Sequence, residues 1–505
     1  MIKLIYRIES DYMSKKRMLI VTSVTLSVVT ISLGIVKLYQ TYALSNYIGT
    51  VTDTGIDVYI NDDSYASIPA NGSSNVYYML TNTNPGTVKY GVAYQTTSGV
   101  TVKVYDTSED PATGTIEEND KKYIKLHLEN KNSTNKTIEL STVLGYENGG
   151  DLVVPSGVTL VTDTYTPPPT AAEYITKLYT TASKTTVTNN SITYNTAPSV
   201  SLMNDRLGGT TTDLDGGNIR YYGASPNNYI YFNCSDYSNQ TSSTCETWRI
   251  IGVFDGKLKL IRGSQIGTYS WDNKDTSTGA ESNFGKNDWT TARLMKLLNP
   301  SDYYTTDSND NNLGQGLYYN SASGKCYSGQ NNATVDCNFT STGIKNDITR
   351  NMIAETTYNL GGWNSNTVYP NLMYEKERGT TVYTGRPTTP WTGKIALAYT
   401  SDYGYAADLN QCKDKTLYDY NNSTCTSNNW MKAIITNNGS NSGWLLTPYC
   451  STSSNVWYVY PVGNVYFNYT VYSAFGAVPV LSLSSELGIE SGGDGSSSKP
   501  YKLSA

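Results

Sequence analysis

Residues 247–263 read TWRIIGVFDGKLKLIRG, two apolar runs joined by the dipeptide Asp255-Gly256. Such a pair between alternating apolar residues favours a tight turn, because these residue types tolerate the positive φ angles that the turn requires. The stretch therefore predicts a β-hairpin, and we place it at the centre of a large C-terminal domain over residues 183–505. The same domain is predicted to contain a helix at 287–299 and further strands at 227–234, 394–406, 443–448, 456–468 and 476–483.

Upstream of this domain, residues 48–163 show a different pattern. Short apolar runs of period two alternate with clusters of Gly, Asn, Asp and Pro, which is typical of an all-β sandwich. The runs lie at 56–60, 75–82, 88–95, 100–106, 122–130 and 136–146. His127, the one histidine of the chain, falls in one of these predicted strands, and we interpret it as structural.

Residues 164–182 connect the two predicted domains. Three consecutive prolines at 167–169 favour a semi-rigid polyproline segment. The run AAEYITKLYTTA at 171–182 follows and predicts a short helix with Ile175, Leu178 and Tyr179 on one face. The segment thus predicts a Pro-rich linker and a short helix.

Residues 18–36, MLIVTSVTLSVVTISLGIV, carry no charge. A helix of this length is roughly 28 Å long, about the thickness of a bilayer's hydrocarbon core. Because three basic residues precede it and a single lysine follows, the positive-inside rule places a basic tail, residues 1–17, in the cytoplasm. We therefore expect a transmembrane helix at 18–38, and a single-pass protein of the cell membrane with an extracellular C-terminal ectodomain. Cleavage after Ala43, as in a secretory signal peptide, is the alternative.

Six of the seven cysteines fall into close pairs that have 10, 10 and 12 residues between their members. The pairs are Cys234 with Cys245, Cys326 with Cys337, and Cys412 with Cys425. Each pair brackets a polar loop, and a disulfide that closes such a loop contributes about 3 kcal/mol in the chain-entropy model. Zinc is the alternative, but no C-x-x-C motif occurs and His127 lies far upstream. We therefore favour three disulfides. Cys450 has no partner in this scheme, and it is either a buried thiol or a residue that changes the pairing.

The remaining composition argues against several function classes. The net charge is −6, and no basic stripe offers a surface for phosphates, so we expect no nucleic-acid partner. No histidine follows His127, which excludes Ser-His-Asp or Cys-His catalysis and His-ligated metals from the C-terminal domain. The sequence predicts no enzyme, no metal site and no cofactor.

The C-terminal landmarks, taken in order, carry a resemblance. They include NIRYYGASPNNYIYFNC at 218–234, CETWRIIGVF at 245–254, GWLLTP at 443–448 and SGGDGSSSKPYKL at 491–503. Over about residues 215–502 the chain resembles a module of surface proteins from low-GC Gram-positive bacteria. That module is related to C-type-lectin-like folds, a group that includes phage tropism determinants and formylglycine-generating enzymes. Many relatives carry G-V-R-P near the end, whereas Val478 occupies the arginine's position here.

The resemblance implies a compact mixed α/β domain whose last strands bind a ligand. The ligand-binding residues predicted on this basis are Trp457, Tyr458, Tyr460, Asn464, Tyr466, Asn468, Tyr469 and Tyr472. Tyr and Asn together are typical of recognition surfaces, since they combine stiff aromatic area with adaptable hydrogen bonding. The predicted function is an extracellular binding or adhesion protein, membrane-anchored, whose partner is an unknown protein or glycan. A structural cell-envelope protein without a specific ligand is the alternative.

Overall fold

The computed structural model describes residues 51–504, apart from 53–54, 57–64, 83–85, 146–151, 153, 274–284, 306–312, 366 and 384–385. The chain divides into two compact units, Met1–Pro167 and Pro168–Ala505, called here the N-terminal and C-terminal units. Strand makes up 36% of the chain and helix 15%. The predicted mixed α/β character of the C-terminal domain therefore overstates its helices.

The structure also corrects the membrane prediction. No helix in the part of the chain that the structure describes is long and apolar enough to cross a bilayer. The predicted fold class with its transmembrane helix, and the single-pass location in the cell membrane, are therefore wrong on this finding. The segment on which both depended, 18–38, and the predicted cytoplasmic tail, 1–17, lie outside the described residues.

The N-terminal unit consists of two sheets that share one core. In the first sheet the strand order is Val158–Leu160, Val88–Gln95, Lys136–Gly145 and Tyr65–Ile68, and Thr113–Ile116 also pairs with Val88–Gln95. In the second it is Thr164–Tyr165, Val100–Tyr105, Lys121–Asn130 and Gly72–Thr81. A short hairpin, Val51–Thr52 with Gly55–Ile56, precedes them.

Side chains from both sheets form one apolar cluster, to which Val92 and Ile138 contribute from the first sheet and Leu80 and Leu126 from the second. Two sheets packed around a shared core form a sandwich, as the alternating sequence pattern predicts. The predicted run at 56–60 lies almost entirely outside the described residues.

The C-terminal unit is built on a sheet of nine strands with the predicted hairpin near its centre. Glu246–Phe254 pairs with Lys257–Arg262, and Asp255 and Gly256 adopt φ values of 48° and 71° in the turn. The strand order is Thr185–Asn189, Ile192–Ala197, Leu202–Asn204, Ile219–Tyr221, Glu246–Phe254, Lys257–Arg262, Val480–Ser482 and Ile395–Ala396, and Tyr229–Phe232 also pairs with Glu246–Phe254.

A second sheet of the C-terminal unit has the order Thr268–Tyr269, Phe475–Gly476, Gly443–Pro448, Val456–Val459 and Val465–Tyr466. Among the described residues of this unit, the other strands form four two-stranded ladders: Ser323–Tyr327 with Thr334–Asn338, Thr356–Tyr358 with Trp391–Gly393, Thr381–Tyr383 with Arg386–Pro387, and Gly488–Ile489 with Leu503–Ser504.

The helices of the C-terminal unit are short. They span Ala171–Thr181, Arg206–Gly209, Arg293–Leu298, Asp347–Met352, Pro370–Glu377, Thr400–Tyr405, Ser423–Ser427 and Trp430–Ile435. The first is fixed at its start by a capping box, in which the Thr170 hydroxyl accepts the Glu173 amide and the Glu173 carboxylate accepts the Thr170 amide.

Two predicted elements differ from the structure. The helix predicted at 287–299 begins only at Arg293, because Ala292 is extended and the Asp288 carboxylate holds a turn by accepting from the Thr290 amide and hydroxyl. The strand predicted at 394–406 is a strand only at Ile395–Ala396 and becomes helical from Thr400. There the Asp402 carboxylate accepts the Tyr399 amide at 3.0 Å and starts the helix.

Four charged side chains form a buried network under the large sheet. The Arg220 guanidinium donates to Asp205 and, at 2.8 Å, to Asp402, whose other oxygen accepts from Lys259. None of the four is more than 6% exposed. Burial alone raises the pKa of Asp402, but the charges of Lys259 and Arg220 outweigh it and hold that pKa at about 2. The network links two strands, a loop and a helix of the C-terminal unit.

Candidate functional site

The predicted ligand-binding residues lie around one hairpin of the second sheet. Val456–Val459 pairs with Val465–Tyr466, and the Tyr460 amide donates to the Asn464 carbonyl at 2.9 Å to close the connecting turn. Gly463 in this turn has a φ of 107°, a conformation that residues with a side chain rarely adopt. The hairpin follows directly from the strand Gly443–Pro448, which pairs with Val456–Val459.

Three of the eight predicted residues are buried and cannot contact a ligand. Trp457 and Tyr458 are 0% exposed and Asn464 is 8% exposed. Trp457 packs into one apolar cluster of the C-terminal unit and Tyr458 into another, so both faces of their strand are covered. The prediction of these three as ligand-binding residues is therefore corrected: their side chains are part of the core.

The other predicted residues reach the surface to different extents. Tyr460 is 42% and Tyr469 46% exposed, and Asn468 is also exposed. Tyr466 and Tyr472 are half-buried. The carbonyl of Tyr472 accepts from the Ser270 hydroxyl at 2.8 Å, which fixes the backbone there.

One contributor to this surface, Tyr418, is not among the residues predicted from sequence. It lies in the loop closed by the disulfide Cys412–Cys425 and is 36% exposed. Its ring lies 5.3 Å from the ring of Tyr466, and their hydrogen bond raises the pKa of Tyr466. Sequence spacing marks the loop as cysteine-closed, but no local signal shows that it folds against the terminal strands.

We call Tyr418, Tyr460, Tyr466 and Tyr469 the tyrosine patch. The buried Tyr458 joins its members: its ring lies 6.2 Å from that of Tyr466 and 5.7 Å from that of Tyr469, and its hydroxyl donates to the Asn468 side chain. Burial raises the pKa of Tyr458, with further contributions from Tyr469, Tyr466 and Tyr460. Tyr458 therefore stays protonated at neutral pH and can donate this hydrogen bond.

More aromatic rings support the patch from below. Phe475 contacts Tyr469 at 5.2 Å between ring centroids and Trp444 at 4.5 Å. Phe467 lies 5.6 Å from Tyr466 and stacks on Tyr449 at 4.1 Å. Rings packed edge to face, as Phe475 and Tyr469 are, or stacked, as Phe467 and Tyr449 are, hold one another in place, so the exposed tyrosines sit on a stiff base.

The three disulfides join the members of the predicted pairs: Cys234–Cys245, Cys326–Cys337 and Cys412–Cys425. Cys450 is free, and burial raises the pKa of its thiol to about 11. A thiol with such a pKa stays protonated and is a poor nucleophile.

The described residues contain no group of three or more His, Cys, Asp or Glu side chains arranged to hold a metal ion. Asp272, part of the Trp271-Asp272-Asn273 run, is buried, and its carboxylate accepts the backbone amides of Lys286 and Arg293. These hydrogen bonds give that aspartate a structural role.

Comparison with known proteins gives no identity for the chain: no family model, no curated protein and no solved structure matches it.

Proposed function

We propose that this chain is an extracellular binding protein whose tyrosine patch recognises a protein or a glycan. One observation carries the proposal. Among the described aromatic side chains of the C-terminal unit, those exposed by 36% or more are Tyr418, Tyr460 and Tyr469, and all three belong to the patch. They come from two separate segments of the chain.

The chemistry of the patch supports recognition. Tyr presents a large apolar face and a hydroxyl, and it loses little conformational entropy when a ligand immobilises it. Here the supporting rings already restrict the exposed ones, so less order has to be gained on binding. The exposed Asn468 adds an amide at the same surface.

An extracellular setting is supported by the disulfides, because such bonds persist in oxidising compartments. The resemblance that the sequence of residues 215–502 bears to lectin-like surface modules supports the same proposal, since it implies a ligand-binding role for the last strands.

A second candidate function, passive assembly in the cell envelope, rests on one observation in the N-terminal unit. The ten-residue strand Gly72–Thr81 lies at the edge of its sheet and pairs only with Lys121–Asn130 among the described residues. A long edge strand can pair with another chain. This function predicts concentration-dependent association of the full chain in sedimentation experiments, and a monomer at all concentrations would exclude it.

The tyrosine patch is tested with the full chain on glycan and protein arrays. The variant combines Tyr418→Ala, Tyr460→Ala and Tyr469→Ala, and the matched control changes Tyr65→Ala and Tyr123→Ala, which are 53% and 37% exposed in the N-terminal unit. We expect the patch variant to lose at least about 100-fold in affinity, since each of the three aromatic anchors contributes roughly 1–2 kcal/mol or more. Absence of any hit for the wild-type chain, or equal losses in both variants, would contradict the proposal.

A further inference from the structure

A pocket of about 480 Å³ opens in the C-terminal unit between the large sheet and the helix Trp430–Ile435. Its lining includes Tyr229, Glu246, Arg249, Arg262 and Trp430, and no residue of the tyrosine patch. A volume of this size accommodates a small molecule such as a monosaccharide. The polar rim groups Ser264 and Asn438 offer a hydroxyl and an amide.

Arg249 is the feature of this pocket that requires an explanation. It is 6% exposed, and its guanidinium lies 3.6 Å from the ring centroid of Tyr229 and 4.9 Å from that of Trp430. It donates to the Asn228 side chain and, at 3.2 Å, to the Pro226 carbonyl. None of these neighbours carries a carboxylate.

No carboxylate among the described residues forms an ion pair with Arg249, in contrast to Arg220 and Arg262. Burial lowers the pKa of Arg249 to about 10, so its charge persists at neutral pH. A buried charge without a counter-charge is costly to maintain, and an anionic ligand would compensate it.

The charge balance of the pocket limits the class of ligand. The two guanidinium–carboxylate contacts of Arg262 with Glu246, at 3.0 and 3.1 Å, neutralise that pair. Arg249 therefore leaves one net positive charge in the pocket. A monovalent anion matches it, and a carboxylate fits the planar donors of a guanidinium.

We propose that this pocket binds a small monocarboxylate of about the size of a sugar acid, with Arg249 as the group that pairs with the carboxylate. The site is separate from the tyrosine patch. A failure of either proposal therefore leaves the other unaffected.

The test is isothermal titration calorimetry of the full chain with sodium glucuronate, with glucose as the neutral analogue of matched shape and inorganic phosphate as an alternative anion. We expect glucuronate to bind and glucose to bind at least about tenfold more weakly, because only glucuronate carries the carboxylate. Arg249→Gln should lose about tenfold or more for glucuronate and little for glucose. No heat with glucuronate, equal affinity for glucose, or tighter binding of phosphate would overturn the assignment.

Two more variants test the proposal even if Arg249→Gln does not fold. Ala433→Trp places a bulky group on an exposed rim residue of the pocket without touching the buried arginine, and it should abolish glucuronate binding. The triple tyrosine variant is the control and should bind glucuronate like the wild type. Retained binding in Ala433→Trp, or loss in the tyrosine variant, would place the ligand elsewhere and overturn the proposal.

Discussion

The two units of the chain hold their interiors together differently. The N-terminal unit buries alternating apolar side chains between two regular sheets, and its polar interior groups, such as Asn82 and Asn130, serve the backbone at turns. The C-terminal unit has short strands and long connections, and it adds a buried charge network and three disulfides. The regular strands of the N-terminal unit are thus held mainly by apolar packing. The long connections of the C-terminal unit depend in addition on a small number of ion pairs and disulfides.

The largest expected effect concerns the charge network. Asp402→Ala removes the shared partner of Arg220 and Lys259. Arg220 keeps Asp205, but Lys259 is left as a buried cation without its carboxylate, which costs about 3–5 kcal/mol of unfolding free energy. All eight tryptophans lie in the C-terminal unit, so urea unfolding followed by tryptophan fluorescence reports on that unit alone. The control is Asp336→Ala, an exposed partner of Lys325, which should change the midpoint little. Similar midpoints for both variants would show that the network is dispensable.

A smaller effect is expected from removing a disulfide, and it should differ between two of the disulfides. Replacing both members of Cys412–Cys425 or of Cys326–Cys337 by Ser should cost about 3 kcal/mol in each case by the chain-entropy estimate. Only the first bridge closes the loop that carries Tyr418, so only its loss should weaken ligand binding at the tyrosine patch. Equal binding losses from both pairs of substitutions, measured by the same array, would contradict this distinction.

The smallest effect is a pH dependence in the N-terminal unit. Burial is the main cause that lowers the pKa of His127, whose ring stacks on Tyr165 at 3.6 Å between centroids. The unfolded chain therefore binds the proton more readily, so this contribution to stability is complete above about pH 6.5 and declines as the pH falls below it.

Hydrogen exchange of the strand Lys121–Asn130 measures the effect of His127. We expect exchange to accelerate between pH 7.5 and 5.5, after correction for the intrinsic rate, by more in the wild type than in His127→Phe. An identical pH response of the two proteins would show that His127 is not the source of the effect.

Most strands of the sandwich follow from sequence because each is decided by its own alternation. The run at 88–95 is a strand over the same residues, Val88–Gln95, and the run at 136–146 differs by one residue. The strands Thr113–Ile116 and Val158–Leu160 are not predicted from sequence, because both are short and are stabilised mainly by pairing with Val88–Gln95.

In the C-terminal unit, sequence alone was less informative because distant groups decide local structure. Asp402 turns an apolar run into a helix start, and its partners Arg220 and Lys259 lie far away in the chain. The tyrosine patch shows the same limit. Alternation places Trp457 and Tyr458 on opposite faces, but sequence does not show that both faces are covered.

The position of Tyr418 inside a cysteine-closed loop has an evolutionary consequence. The bridge between Cys412 and Cys425 fixes the two ends of this loop, so substitutions at its tip leave the register of the terminal strands unchanged. If the tyrosine patch binds as proposed, a lineage can therefore alter ligand preference at the tip while the strand Val465–Tyr466 keeps its packing.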